Sequence, residues 1–250
     1  MIECKSPAEL EKMRAAGRVV ARVLQAVTAK VAPGVTTLEL EVIAEREIAA
    51  AGAQAAFKGY QGYPCVLCTS VNDEIVHGIP SERKLRTGDI ISIDVGAKLD
   101  GYYADMATTV ALEPVSPEAA KLLRVTREAL DLAVAQVRDG AYVGDISAAV
   151  QQHVEAAGFS VVREFVGHGI GTKLHEEPQV PNYVNRSKGR GPKLAAGMVL
   201  AIEPMVTAGS PAVKIRPDRW TAVTSDGACA AHFEHCVAVT QNGPWILTEP

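Results

Sequence analysis

Two aspartates sit where strands usually exclude them. In residues 91–110, ISIDVGAKLDGYYADMATTV, Asp94 interrupts the apolar run of Ile91, Ile93 and Val95, and Asp105 lies on the return leg. Aspartate is depleted in strands because its side chain competes for backbone hydrogen bonds, so each needs a reason. Asp100-Gly101 is a favoured two-residue loop for a type I′ hairpin turn. With that loop, residue 99 faces 102 and Asp105 faces Gly96, on the sheet face that also carries Asp94. The carboxylates are then diagonal cross-strand neighbours, about 7 to 8 Å apart at the backbone. So close, they repel each other unless they share a proton or a cation. The same spacing also suits a solvated sheet face lined by Ser92, Asp94, Lys98, Tyr103 and Asp105, and the residues alone leave both readings open.

The second half carries related chemistry. Glu203 ends MVLAIE, a buried-looking run in which an unpaired carboxylate is costly. Glu234 follows a second Asp-Gly pair, Asp226-Gly227, and is expected on the return strand of another hairpin. His168 lies between Gly167 and Gly169, whose small size would let a ligand approach, and His175 follows in GHGIGTKLHEEP. His77 and His235 also stand in glycine-flanked or acid-rich contexts. Cys65 and Cys68 form a C-x-x-C, but CVLCTSV reads as a buried strand rather than a redox or zinc pair.

The elements that must position these groups recur along the chain. Ser6-x-x-Glu9 with Pro7 opens a helix running to about Pro33-Gly34, and Thr36-x-x-Glu39 opens another that ends at Gly52. Ser116-Pro117-Glu118 then starts a helix to about Gly140, and a fourth runs from near Asp145 to Gly158. VHGI at 76–79 matches GHGI at 167–170, and GDIISID at 88–94 matches GMVLAIE at 197–203. Their shared order implies an internal duplication. A single catalytic domain over 1–250 follows, with α+β pseudo-repeats over about 5–110 and 115–245 facing each other across a central cleft.

Composition narrows the class. At 250 residues, 48% hydrophobic and 22% charged, the chain suffices for one large domain or two fused halves. A net charge of −4 argues against a general nucleic-acid binder. The start, MIECKSPAEL, has neither a basic n-region nor an apolar h-region, and no apolar run reaches membrane-span length, so a cytoplasmic protein without a membrane anchor is expected. Five cysteines without a framework spacing are expected to be reduced thiols.

Asp94, Asp105, His168, Glu203 and Glu234 stand in the order and contexts of the metal ligands of methionine aminopeptidases, and FVGHGIGTKLHEEPQVPNY at 165–183 resembles the signature of the type I enzymes. The likeness covers essentially the whole chain and points to the short bacterial form. It lacks the long insertion of type II and a cysteine-rich N-terminal extension. The resemblance implies the pita-bread (creatinase/aminopeptidase) fold: α+β, two pseudo-symmetric halves with a central curved antiparallel sheet covered by helices. It implies two divalent ions, Co, Mn, Fe or Zn, with Asp105 and Glu234 bridging both, Asp94 completing one shell, and His168 with Glu203 the other.

The activity implied is removal of the N-terminal methionine from nascent proteins and peptides, with a small second residue preferred, by a hydroxide bridging the metals. Glu203 would relay the proton, His175 would stabilise the oxyanion and His77 would contact the scissile amide nitrogen. The methionine pocket maps to Phe57, Tyr60, Tyr63, Cys68, Leu174 and Trp220. Leu174 stands where an aromatic residue is common, and Phe57 where a smaller or sulfur-bearing one is, so pocket shape should differ. The rivals are a related Xaa-Pro-cleaving enzyme of the same fold and a non-catalytic binding homologue, which should have lost ligands. Nascent N-termini are the expected partners, and a monomer is the expected state. The glycine-rich loop 185–194, with Arg186, Lys188, Arg190 and Lys193, suits either ribosomal RNA contact or plain solvation.

Overall fold

The computed structural model describes residues 2–185, 187 and 189–250. Each of its four α-helices starts where a side chain replaces a missing backbone partner. For α1 (Pro7–Thr28) the Ser6 N–H donates to Glu9 Oε2 at 2.8 Å. For α2 (Thr37–Ala50) Thr36 Oγ1 accepts from the Glu39 N–H at 3.1 Å, while the Thr36 N–H donates to Glu39 Oε2 at 2.6 Å, a reciprocal capping box. Ser116 Oγ caps α3 (Pro117–Val134) through the Ala119 N–H at 3.0 Å, and Asp145 accepts from the Tyr142 N–H at 2.9 Å at the start of α4 (Val143–Ala156).

Both α1 and α3 stop before the glycines expected to end them. Gly34 donates its N–H to Leu85 O and Gly140 donates to Leu194 O, so the chain leaves each helix to pair with a distant loop. The two departures occupy corresponding places in the two halves.

In the first half, β1 (Gln54–Ala55), β2 (Leu67–Val71), β3 (Glu74–Val76), β4 (Ile90–Leu99) and β5 (Tyr102–Ala111) follow α2. Strand β4 pairs antiparallel with β5 along its whole length and with β1 and β2 on its other edge. Asp100 (φ 48°) and Gly101 (φ 89°) form the left-handed pair that a type I′ turn needs, and Gly96 lies opposite Asp105 as the turn predicts. Ile91, Ile93 and Val95 pack with Val20, Leu24 and Leu40 from α1 and α2, which leaves the opposite face of β4 to Ser92 and Asp94.

The second half contains β6 (Ser160–Val161), β7 (Gly167–Gly169), β8 (Glu176–Val180), β9 (Val199–Ile202), β10 (Met205–Thr207), β11 (Val213–Ile215), β12 (Ala222–Thr224), β13 (Ala230–His232), β14 (His235–Thr240) and β15 (Gly243–Ile246). Its main sheet runs β15-β14-β9-β7-β8, and two smaller sheets run β13-β10-β6 and β11-β12-β3. Leu122, Val125, Ile146 and Val150 of α3 and α4 pack with Leu200 and Val237 beneath it.

The second Asp-Gly pair does not make a hairpin. Strand β12 is occupied by β11 and β3, and β13 pairs with β10, while the Asp226 carboxylate draws in the N–H groups of Ser210 (2.6 Å) and Ala228 (3.1 Å) to shape a wider loop. Glu234 therefore lies in the break between β13 and β14, not on a return strand of β12.

The halves meet along a seam. The Asp105 N–H donates to Cys236 Sγ (3.2 Å) and that thiol donates to Asp105 O (3.1 Å). The Glu234 N–H donates to Ala107 O at 2.9 Å. Thr109 Oγ1 accepts from the His232 N–H (2.9 Å) and donates to His232 O (2.8 Å). Residues 105, 107 and 109 thus oppose 236, 234 and 232, an antiparallel register held partly by side chains. No helix among the described residues is long and apolar enough to cross a membrane.

Candidate metal centre and substrate pocket

The seam brings together groups far apart in sequence. Asp94, Asp105, His168, Glu203 and Glu234 all line one cavity of about 260 Å³. Ligand atoms of Asp105, His168 and Glu234 lie within 4.8 Å of one another. Ser92 and Asp105 are 2% and 5% exposed, so the face carrying the aspartates is buried and not a solvated sheet surface.

Local structure aims each group. Asp94 and Asp105 project from the hairpin β4–β5 in the register set by its turn. Glu203 follows β9 directly, and its carbonyl accepts from Asn182 Nδ2 at 3.0 Å. His168 is central in β7, and its Nδ1 lies 2.9 Å from Gly169 O, an arrangement that puts the proton on Nδ1 and leaves Nε2 free to act as a ligand. The glycines beside it serve the backbone. A Cβ on Gly167 would stand 2.4 Å from Ala201 O, and one on Gly169 2.2 Å from Glu177 O, so the flank lets neighbouring strands close on β7.

The centre's charge balance is unfavourable without cations. Burial, with Asp105 and Glu203 nearby, holds the Asp94 carboxyl well above its usual range, and burial with Asp105 and Glu203 does the same to Glu234. Burial pushes Glu203 up to about 8, and burial plus Glu203 pushes Asp105 up to about 7. Burial drives His168 down to about 3, keeping it neutral. Asp94 Oδ1, Asp105 Oδ1 and Glu234 Oε1 are buried without a hydrogen-bond partner. Orphaned buried acceptors are expensive, and divalent cations are the partners that oxygen donors with one neutral imidazole suit. The residues fit a metal site.

Around the acids stand two groups of rings. His175 lies with its centroid 4.2 Å from that of His168, and its Nδ1 is 2.8 Å from the Tyr60 hydroxyl. Glu176, the next residue, is held by the Lys173 N–H at 3.1 Å and by the buried Lys5 Nζ at 2.5 Å, which fixes the start of β8. His77 meets Phe165 and Trp220 edge-on at 5.2 and 6.4 Å, and Trp220 meets Tyr63 at 5.1 Å. His77 has a left-handed backbone (φ 61°), a strained conformation of the kind held at functional sites. Phe57, Tyr60, Tyr63, Cys68, Leu174 and Trp220 belong to one apolar cluster and line the same cavity. Cys68 is the β2 partner of Asp94 across the sheet, which explains its place there.

Two histidines near Glu234 point to opposite sides of the chain. His235 turns away from the cavity, with Nδ1 2.8 Å from Thr248 Oγ1. His232, which no motif marked and which does not itself line the cavity, faces two of the carboxylates that do, with Nε2 3.5 Å from Glu203 Oε2 and 4.0 Å from Glu234 Oε2. Alternation along AAHFEHC could have found it, because His232 sits two residues before Glu234 and shares its side of the strand, whereas His235 does not. Phe165 and Val166, which open the 165–183 signature without a role assigned there, and Met205, which no motif marked, also line the cavity.

A buried cluster of carboxylates and a neutral imidazole, divided between two α+β halves and walled by aromatic rings, defines a metal-dependent hydrolase of pita-bread architecture. Metallopeptidase family M24 matches residues 11–241, and the chain belongs to that family. Methionine aminopeptidase 1 of Bacillus subtilis (strain 168) is 52% identical over 248 residues, covering 99% of each chain. The crystal structure of methionine aminopeptidase from Thermotoga maritima superposes with a TM-score of 0.97 at 45% identity, covering 100% of both chains. Prolidase from Pyrococcus furiosus shares the fold at 21% identity and TM-score 0.77, covering 99% of this chain and 65% of its own. Divalent-metal use is a property of the family.

Proposed function

We infer that the protein is a methionyl aminopeptidase, a metallo-exopeptidase that releases the N-terminal methionine from nascent polypeptides and peptides with a small second residue. The observation carrying this reading is the cavity itself. Its volume of about 260 Å³ is at the small end for a ligand pocket and suits one side chain and its amide rather than a long segment of peptide. Orphaned carboxylate oxygens and an aromatic wall both face it.

Within this proposal the chain is one catalytic domain, a cytoplasmic monomer, and two divalent ions, of Mn, Fe, Co or Zn, are held by Asp94, Asp105, His168, Glu203 and Glu234. Such ions supply Lewis acidity that polarises a carbonyl and eases ionisation of water. Phe57, Tyr63, Cys68, Leu174 and Trp220 bind the methionine side chain. Glu203 takes up the nucleophile's proton and returns it to the leaving amine. His175 donates from Nε2 to the carbonyl oxygen as negative charge develops, with Tyr60 setting its tautomer through Nδ1. His77, held by Phe165 and Trp220, faces the scissile nitrogen.

Ribosome contact through 185–194 belongs to the same proposal. Arg186 and Lys188 lie outside the described residues, and Arg190 is engaged by Asp145 at 2.8 Å and by the Tyr142 ring, so of the two described charges Lys193 is the freer to meet RNA. The decisive experiment for the activity is hydrolysis of Met-Ala-Ser and Ala-Pro-Ser peptides by metal-depleted protein, with each ion added back singly. Methionine release from the first peptide alone is expected; no release with any ion would sink the reading.

A further inference from the structure

We propose that His232 is a positioning residue of the metal centre: its Nε2–H donates to Glu203 Oε2 and so presents Glu203 Oε1 beside His168. The inference rests on the metal centre proposed above. His232 is 2% exposed, and its Nε2 is a buried nitrogen with no hydrogen-bond partner at normal distance. The nitrogen faces two carboxylate oxygens, Glu203 Oε2 at 3.5 Å and Glu234 Oε2 at 4.0 Å. With both carboxylates held ionised by cations, that nitrogen faces only acceptors and is stable there as N–H, which selects the Nε2 tautomer.

The geometry divides the Glu203 carboxylate between two histidines. Oε1 lies 3.6 Å from His168 Nε2 and Oε2 lies 3.5 Å from His232 Nε2. His168 spends its Nδ1 on Gly169 O and so meets the centre as a lone-pair donor, whereas His232 meets it as a proton donor. One oxygen is thereby left for an ion and the other is tethered, the usual division of work around a ligating carboxylate.

The tether is anchored firmly. Thr109 Oγ1 grips both the N–H and the carbonyl of His232 and is itself 2.8 Å from Ser92 Oγ, so the imidazole is fixed from the first half while Glu203 comes from the second. Glu203 follows a strand end and precedes Pro204, with no hydrogen bond to its carboxylate among the described residues, so His232 is the donor best placed to choose its rotamer.

The test compares wild type with His232→Gln, which keeps a donor, and with His232→Met and His232→Leu, which keep apolar volume without one. Two donor-free variants are made so that one folded protein suffices, with folding of the metal-free forms checked by circular dichroism. Titration calorimetry with Mn²⁺ should show about a tenfold or greater loss of affinity in His232→Met or His232→Leu and a loss within about threefold in His232→Gln. Turnover of Met-Ala-Ser should follow, with kcat falling more than KM. Wild-type affinity in a folded donor-free variant overturns the inference, as does a His232→Gln protein no better than the donor-free ones. A wild type that takes up no Mn²⁺ removes the centre itself, and this role with it.

Discussion

At the scale of single residues, burial sets opposite protonation on the acids and the imidazoles, and this has a measurable consequence for the metal-free protein. Asp105 and Glu203 are raised to about 7 and 8, so the folded chain holds protons that the unfolded chain releases above its ordinary carboxylate pKa. Stability from these groups is present at low pH and is lost as pH rises through 7 to 8. His168, His77 and His232 are lowered to about 3, 4 and 4, so their effect runs the other way, present above about 6.5 and lost as pH falls below it. Above pH 6.5 only the carboxylate effect remains. The melting temperature of metal-free protein should therefore fall between pH 6.5 and 8.5, and Glu203→Gln should flatten that fall. A flat or rising wild-type profile over this span would count against the buried cluster.

A second residue-scale prediction concerns His175. Removing a donor aimed at developing negative charge typically costs about 100- to 1,000-fold in kcat, so His175→Ala should lose that much with little change in KM. Tyr60→Phe keeps the ring but frees Nδ1, and should lose less. Equal KM effects and an unchanged kcat in steady-state assays would remove both roles.

Among the elements, the strand pair β11–β12 carries Trp220 in its connecting loop, and ion pairs from Arg216 reinforce the β12–β3 ladder that joins it to the first half. Arg216 Nη1 meets Glu74 Oε1 at 2.6 Å, and Glu74 also accepts from Arg83 Nη1 (2.9 Å) and the Val71 N–H (2.7 Å). Arg216→Met loosens the loop while Arg83 still pairs the buried acid. KM for Met-Ala-Ser should rise roughly 3- to 10-fold, the worth of about 1 kcal/mol, with kcat nearly unchanged. Trp220 fluorescence should broaden in parallel, and unaltered KM would show that the loop holds itself. The elements were also where sequence reasoning worked best. The hairpin β4–β5, its turn and its register follow from Asp100-Gly101 and alternation, because these are local rules. The hairpin expected at Asp226-Gly227 failed because β3 takes an edge of β12 and β10 pairs with β13, and no local pattern around the turn announces a competitor such as β3, which lies in the other half of the chain.

The whole molecule depends on contacts that no short stretch encodes. The four carboxylates and one imidazole of the candidate centre are legible through motif and resemblance, but His232 is held in place by Thr109 across the seam. Helix α1 gives a second case. Gly17 has an ordinary helical position, yet a Cβ there would stand 2.0 Å from Leu247 O, and Arg14 Nη1 donates to that same carbonyl at 2.9 Å. The first helix therefore lies directly on the last segment of the chain. Gly17→Ala should cost about 1 to 3 kcal/mol by overpacking. For a chain of this size that lowers the melting temperature by roughly 3 to 10 °C, read by circular dichroism. An unchanged melt would mean the two segments part easily.

The seam between residues 105–109 and 232–236 also dictates when the protein becomes competent as it is made. Asp94 and Asp105 leave the ribosome first and form their hairpin locally, but His168, Glu203 and Glu234 belong to segments made later. A growing chain shorter than this point carries half a centre with two adjacent, mutually repelling acids. Synthesis order thus acts as a timer: under the proposed ligation, metal capture and the ability to trim other newborn chains begin only after the segment around Glu234 has been made and has docked on Asp105–Thr109.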